Sequence, residues 1–230
     1  VEKELYTLST KGGDKLSLRP EATAGIMRAY IENGWQSLPQ PIMVYTYGPM
    51  FRHDKPQKGR HREFRQFDLE IIGSDKAILD AMTIITSMSI LKELGLENFR
   101  LEINSIGDKE SRQKFTKELT SYYKKIQSKL CKNCQERLKI SPLRLLDCKD
   151  EACAPFKAEA PRPISSLTPE AKKHFKEVLQ YIDEARIDYT LNHFLVRGLD
   201  YYTHTVFEFV ATITDEDGKE KELSIGGGGR

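Results

Sequence analysis

The sequence predicts an α+β fold in which antiparallel strands alternate with amphipathic helices and a mainly helical module is inserted among them. Two observations lead to this. Residues 41–51 and 64–72 are rich in Val, Ile, Tyr and Phe and flank a charged stretch, the pattern of two antiparallel strands joined by a long loop. Residues from about 107 to 187 change character. There Phe115, Leu119, Tyr122 and Ile126 recur at helical spacing, and the segment is more helical in composition than its flanks.

The elements follow in order. Pro20 can occupy the first turn of a helix, where its missing N–H costs nothing, and Ile26, Met27 and Tyr30 continue the helical spacing to a stop at Gly34. Residues 20–33 are therefore expected to be helical. After the strand pair, Ser74 and Asp75 offer caps for a helix with Ile78, Met82, Ile85 and Leu91 on its buried face, ending near Gly95. Residues 99–103 read as a strand, and 108–130 as an amphipathic helix with a Lys-rich outer face. A segment containing cysteines and prolines runs to Pro163. Thr168-Pro169-Glu170 combines a cap, a first-turn proline and an acid, and Phe175, Val178, Leu179 and Ile182 give its helix an apolar face. Short strands follow from Tyr189, including 205–211. The expected organisation is 1–106 as the first part of a core, 107–187 as the inserted module, and 188–230 as the second part.

The 230 residues are 39% hydrophobic and 30% charged, which describes a chain able to build a sizeable core and argues against disorder. No run of about 18 apolar residues suggests a membrane span, and the first residues lack the basic-then-apolar order of a secretion signal. The expected location is the cytoplasm, with no membrane partner. A net charge of +2 does not by itself point to nucleic acid. The distribution is more telling: Arg52, Lys55, Lys58, Arg60, Arg62 and Arg65 face only Asp54 and Glu63 in the same stretch. That describes a loop facing a polyanion, or a solvated one.

Two phosphate-binding patterns are absent, the Gly-x-x-x-x-Gly-Lys-Ser/Thr loop and a Gly-x-Gly-x-x-Gly between strand and helix. A nucleotide bound here would be held by arginines. Gln66, Asp68 and Glu70 fall on one face of a strand because side chains alternate with period two. Polar groups buried without partners cost about 1–3 kcal/mol each, so these must meet water, one another or a polar ligand. Taken singly, Arg52 reads as a surface ion-pair partner and Tyr201-Tyr202 as packing. The run Gly226 to Gly229 reads as a flexible or tight turn, or as backbone that approaches a ligand. Cys131, Cys134, Cys148 and Cys153 supply the four thiolates of a tetrahedral zinc site, but only the first pair has a standard ligand spacing. The expectation is no metal and no disulfide, with unligated thiols in an exposed helical insert.

Four blocks in order carry a resemblance: Leu18-Arg19-Pro20-Glu21-Ala22-Thr23, then Phe51-Arg52-His53-Asp54-Lys55-Pro56-Gln57-Lys58-Gly59-Arg60, then Gln66 to Glu70, then Leu195 to Glu208. Together they resemble histidyl-tRNA synthetases of the bacterial type, over nearly the whole chain. The second block resembles motif 2 of class II aminoacyl-tRNA synthetases, and Arg197-Gly198-Leu199-Asp200-Tyr201-Tyr202 resembles the histidine-specific signature.

The resemblance implies a mainly antiparallel sheet flanked by helices, with the active site on the sheet face. It implies L-histidine, ATP with Mg2+, and tRNA(His) as ligands: histidine is activated to histidyl-adenylate with release of diphosphate, then transferred to the 3′ end of the tRNA. Arg52 and Arg197 correspond to the arginines on the α-phosphate. Phe64 corresponds to the aromatic that stacks on adenine, and Arg60 lies in the loop that reaches toward phosphates or the acceptor end. Glu21, Thr23 and Gln66 correspond to groups that hold the α-amino end of histidine. Glu70 and Tyr202, with Tyr201 alongside, correspond to the readers of the imidazole. A neutral imidazole presents one donor and one acceptor, which a carboxylate and a phenol can satisfy together. Such a site rejects apolar analogues by roughly 10⁴–10⁵-fold, which makes an editing domain unnecessary.

The resemblance further implies a homodimer in the full-length protein, with motif 1 ahead of Val1, and motif 3 and an anticodon-binding domain beyond Arg230. The chain is thus expected to be a catalytic-core fragment, weakly active or inactive by itself. The inserted module either clamps the tRNA acceptor stem through Lys109, Lys114, Lys117, Lys124, Lys125 and Lys129, or presents them as a solvated helix face. The competing function is a synthetase-like regulatory subunit of histidine biosynthesis, which binds histidine without making an adenylate. Its relatives typically lose some catalytic arginines or the polar histidine-reading set, whereas Arg52, Gln66, Glu70, Arg197 and Tyr202 are all present here.

Overall fold

A computed structural model describes residues 4–54, 59–199, 201–214, 218 and 220–230. Lys55 and Lys58 of the basic stretch, and Asp200 of the histidine-type signature, lie outside the described residues. The chain divides into two compact units, Val1–Asp75 and Lys76–Arg230.

The first unit opens with a small hairpin, β1 (Thr7–Ser9) and β2 (Lys15–Ser17), followed by helix α1 (Thr23–Glu32). The helix begins later than Pro20 predicts. Glu21 takes the N–H of Ala24 on its carboxylate (3.2 Å), so the first turn starts beyond the proline. Gly34, at φ 65°, ends it as expected. The long strands β3 (Ile42–Phe51) and β4 (Glu63–Ile72) then pair antiparallel from Ile42↔Ile72 to Phe51↔Glu63.

In the second unit, α2 (Ala77–Glu93) leads to β5 (Phe99–Ser105). Neither Ser74 nor Asp75 occupies the cap position of α2, which is Lys76 and is not capped by a side chain. Its buried positions are Ala77, Leu79, Ala81, Ile84 and Met88, while Ile78 is exposed, so the helix is turned relative to the expected face. The apolar residues run almost all round it, which left periodicity little to discriminate. Then come α3 (Lys109–Lys124), α4 (Lys132–Ile140), α5 (Ala154–Ala158) and α6 (Pro169–Glu184). Helix α3 stops short of the expected Leu130, a separate short turn occupying Gln127–Lys129. Asp108 and Thr168 cap α3 and α6 by accepting from the N–H groups of Ser111 and Ala171, and the two caps bond each other at 2.6 Å.

Strands β6 (Tyr189–Leu191), β7 (Thr205–Thr214) and β8 (Glu220–Gly229) join β5 in a four-stranded sheet of order β6-β5-β7-β8, parallel only at β5–β6. Alternation sets its two faces. Leu101, Ile103, Phe207 and Phe209 pack against Ala81 and Ile84 of α2 and Phe175, Val178 and Ile182 of α6. Glu102 and Glu208, paired across β5 and β7, belong to the opposite face. A separate apolar cluster gathers Phe115, Leu119, Tyr123, Leu130, Leu138, Leu145 and Leu146 around α3 and α4.

Candidate active site

In the first unit the polar residues of β4 converge with the segment entering α1. Gln66, Asp68 and Glu70 share one strand face, and Thr23 donates its hydroxyl to Glu70 Oε1 at 2.5 Å. Gln66 donates to Asp68 through a short contact, and its carbonyl accepts from Arg52 Nη2 at 3.3 Å. Arg52 is further fixed by its Nε–H to the carbonyl of Pro20 (2.8 Å) and by lying over the Phe64 ring, 4.9 Å from the centroid. The cation is thus oriented by hydrogen bonds and an aromatic face, and is no loose surface ion-pair partner. Phe64 sits under Arg52 here. Arg60, on the surface, is paired with Asp54 at 2.9 Å.

Across the strand pair, Thr46 and Gly48 stand opposite Asp68 and Gln66. With Glu21 and Met50 they line a cleft of about 480 Å³, and the absence of a side chain at Gly48 leaves Arg19 room to pass 3.1 Å from where a Cβ would stand. Arg19, Glu21 and Arg28 are its charged lining residues, and two further acids, Asp68 and Glu70, stand on the β4 face. Burial raises the pKa of Asp68 above its ordinary value and the charge of Glu21 adds to this, against the Gln66 hydrogen bond and the charge of Arg52. Burial also raises Glu70, more than its bond from Thr23 lowers it, and Asp68 and Glu21 repel its charge. Asp68 Oδ2 is buried with no hydrogen-bond partner among the described residues. Carboxylates so placed favour a cationic or N–H-bearing ligand.

The second unit carries the other predicted residues on the polar face of its sheet. Arg197 Nη1 pairs with Glu208 in a short contact, while Arg197 Nε is buried without a partner among the described residues. Burial raises the pKa of Glu208, against the charge of Arg197. Tyr201 and Tyr202 lie ring to ring at 4.9 Å, Tyr201 exposed and Tyr202 partly buried with its carbonyl accepting from Arg112. The Gly226–Gly229 run is not a turn. It is the end of β8, and its glycines admit neighbours. A Cβ on Gly227 would stand 3.0 Å from Arg197 Nη1, and one on Gly229 3.0 Å from the Tyr202 ring. Glu208 was given no role from sequence, although its alternation with the apolar Phe207 and Phe209 marks it as facing away from the core.

The cysteines are corrected in one respect. Cys134 and Cys153 are buried, and all four sulfurs lie within 4.8 Å of one another, without disulfides.

Residues 6–219 match the family described as tRNA synthetase class II core domain (G, H, P, S and T). The chain belongs to that family. Along its whole length it is 46% identical to the histidine–tRNA ligase of Desulforamulus reducens, of which it spans 54%. Among solved structures it resembles apo histidyl-tRNA synthetase of Staphylococcus aureus, with a TM-score of 0.75 and 36% identity over 98% of this chain and 53% of that one. A Bacillus halodurans protein titled ATP phosphoribosyltransferase regulatory subunit/histidyl-tRNA synthetase shares the fold, with a TM-score of 0.57 and 21% identity over 96% of this chain and 60% of that one. The chain therefore spans about half the length of the curated relatives it matches. No helix among the described residues is long and apolar enough to cross a membrane.

Proposed function

We propose that this chain is the catalytic core of a histidine–tRNA ligase. The observation that carries the reading is the polar row on β4 of the first unit, with Glu70 held by Thr23 at one end and the oriented Arg52 beside Gln66 at the other. An amino acid is a zwitterion. Glu21, Thr23 and Gln66 take its ammonium group, Glu70 reads an imidazole N–H, and Arg52 meets the carboxylate and the α-phosphate of ATP. The 46% identity to a histidine–tRNA ligase supports the choice of histidine over other amino acids.

In the first step a histidine carboxylate oxygen attacks the α-phosphorus of ATP, the bond to the bridging oxygen breaks, and diphosphate leaves. Positive charge fixed beforehand on Arg52 stabilises the oxygens over which charge spreads, with little reorganisation at the moment of reaction, and the resemblance gives Arg197 the same task. Phe64 offers the aromatic face for adenine, and Arg60 reaches toward phosphates once it exchanges Asp54 for them. In the second unit, Tyr202 with Tyr201 provides phenols for imidazole recognition. In the second step a hydroxyl of the terminal adenosine of tRNA(His) attacks the activated carbonyl and AMP leaves. Mg2+ would accompany ATP. It would add positive charge at the phosphate oxygens.

In the whole protein we assign residues 1–106 and 188–230 to the catalytic core and 107–187 to an insertion, with homodimerisation and a cytoplasmic location. Calorimetric titration of this chain with L-histidine, L-leucine and histidinol tests the cleft. Binding of histidine in preference to leucine is expected. Glu70→Gln loses one charge-assisted bond of about 1.5–3 kcal/mol, a roughly 10- to 150-fold weaker Kd. Equal affinity for leucine, or no effect of E70Q, would remove Glu70 from substrate reading.

A further inference from the structure

Cys131 caps α4 at its N-terminus and Cys134 lies in its first turn, so one helix end presents two sulfurs. The chain then turns through residues 142–145 and brings Cys148 back to the same point, and a second turn at 151–153 delivers Cys153. The Cys131 and Cys148 sulfurs are 3.9 Å apart, and no two of the four ligand atoms are further apart than 4.8 Å. A disulfide needs about 2.0 Å between sulfurs. Four thiolates around a tetrahedral zinc at about 2.3 Å stand about 3.8 Å from one another, which matches the Cys131–Cys148 separation.

Two backbone groups are already aimed at the sulfurs. The N–H of Cys131 points to Cys153 Sγ at 3.4 Å, and that of Asp150 to Cys148 Sγ at 3.5 Å. Such bonds support sulfur in its charged form, the form that ligates metal. The surroundings are apolar: Tyr123, Leu130, Leu138, Leu145 and Leu146 pack around the cluster. Four thiolates gathered in such a setting repel one another strongly unless a cation is at their centre.

We propose that Cys131, Cys134, Cys148 and Cys153 bind one zinc ion as a closed structural site. Binding releases the thiol protons, four thiols and Zn2+ giving a tetrathiolate complex and four protons, with no redox change. All four positions are filled by protein sulfur, so no place remains for water or substrate. The metal ties the start of α4 to the turns at 142–145 and 151–153, elements too short to hold one another by helix propensity alone. The loose second spacing, Cys148-x-x-x-x-Cys153, is accommodated because the intervening chain forms a capped turn, Asp150 accepting from Ala152 N–H at 3.0 Å.

The test is metal analysis of the chain expressed without a polyhistidine tag and purified under reducing conditions. About one zinc per chain is expected, and exchange with Co2+ should give the visible bands and near-ultraviolet sulfur-to-metal absorption of a tetrahedral thiolate site. Cys148→Ser, at a partly exposed position, should bring the zinc content close to zero while α-helical circular dichroism persists. Should that variant not fold, removal of zinc from wild type by a chelator, with the melting temperature falling and returning on addition of zinc, serves the same purpose. Zinc-free protein that melts identically with and without added zinc would overturn the proposal. So would zinc retained in C148S, or cysteines recovered as disulfides from folded protein.

Discussion

Gly227 is a position at which the fold of the second unit and its polar face can be disturbed by a single methyl group. A Cβ there would stand 2.6 Å from the carbonyl oxygen of Phe207, 3.0 Å from Arg197 Nη1 and 3.1 Å from Glu208 Cγ. The first of these is backbone of the neighbouring strand and cannot swing away. Gly227→Ala therefore has to separate β8 from β7 where Glu208 pairs with Gly227, at a cost of about 1–3 kcal/mol typical of overpacking. It also presses on the Arg197–Glu208 pair. Gly226 is the internal control, one residue away in the same strand. A Cβ there meets the Phe209 ring at 3.5 Å, an ordinary contact, so Gly226→Ala should stay within about 0.5 kcal/mol of wild type. Urea unfolding of the three proteins, followed by circular dichroism, measures the difference from the midpoints at unchanged slope. Equal midpoints for G226A and G227A would refute the claim that this glycine run exists to admit its neighbours.

Other expectations concern stability and RNA. Asp80 is buried and accepts from Arg230 (2.6 Å), Thr205 (2.6 Å) and, in one tautomer, His174 (2.9 Å). Burial alone would raise its pKa, but these bonds outweigh that and hold it below the ordinary carboxylate value. Its contribution is thus present above the unfolded-state value and lost as pH falls through the lower folded one. Asp80→Asn should cost about 3 kcal/mol at neutral pH, and the gap to wild type in denaturant melts should narrow below about pH 4. Phe115→Ala should cost about 3–5 kcal/mol by opening a cavity among Leu119, Tyr123 and Leu145, read in the same melts. The six lysines at 109, 114, 117, 124, 125 and 129 are exposed. If they meet the tRNA acceptor stem, replacing Lys117, Lys124 and Lys125 by Gln in the whole protein should weaken tRNA binding and flatten its salt dependence by up to about three phosphate contacts. Unchanged binding would leave them as a solvated face.

Local chemistry made much of the fold legible. The cap, proline and acid at Thr168–Glu170 placed α6 correctly, because all three act within one turn. The strand pair was readable because β-branched and aromatic residues alternate on both sides of a charged loop. What sequence did not give was decided by contacts distant along the chain. The start of α1 depends on Glu21 folding back onto Ala24. The glycine run is a strand because β7 supplies its ladder, against the poor strand propensity of glycine. Arg197 meets Glu208 only because the chain after it turns back into β7. The four cysteines converge through the start of α4 and two turns, and no spacing rule for a single loop anticipates that. Among the candidate residues, the alternation of Gln66, Asp68 and Glu70 was visible in the strand pattern. The stacking of Arg52 on Phe64 was not, since it links the residue after β3 to β4 where residues 52–62 join the two strands.

The central claim is tested most directly by amino-acid-dependent ATP–diphosphate exchange in the whole protein that carries this chain, with each of the common amino acids supplied in turn. Exchange driven by histidine alone, and abolished by Arg52→Ala in protein that still folds, is the predicted result. Folded protein that binds histidine yet exchanges nothing would contradict it and assign the cleft to histidine sensing.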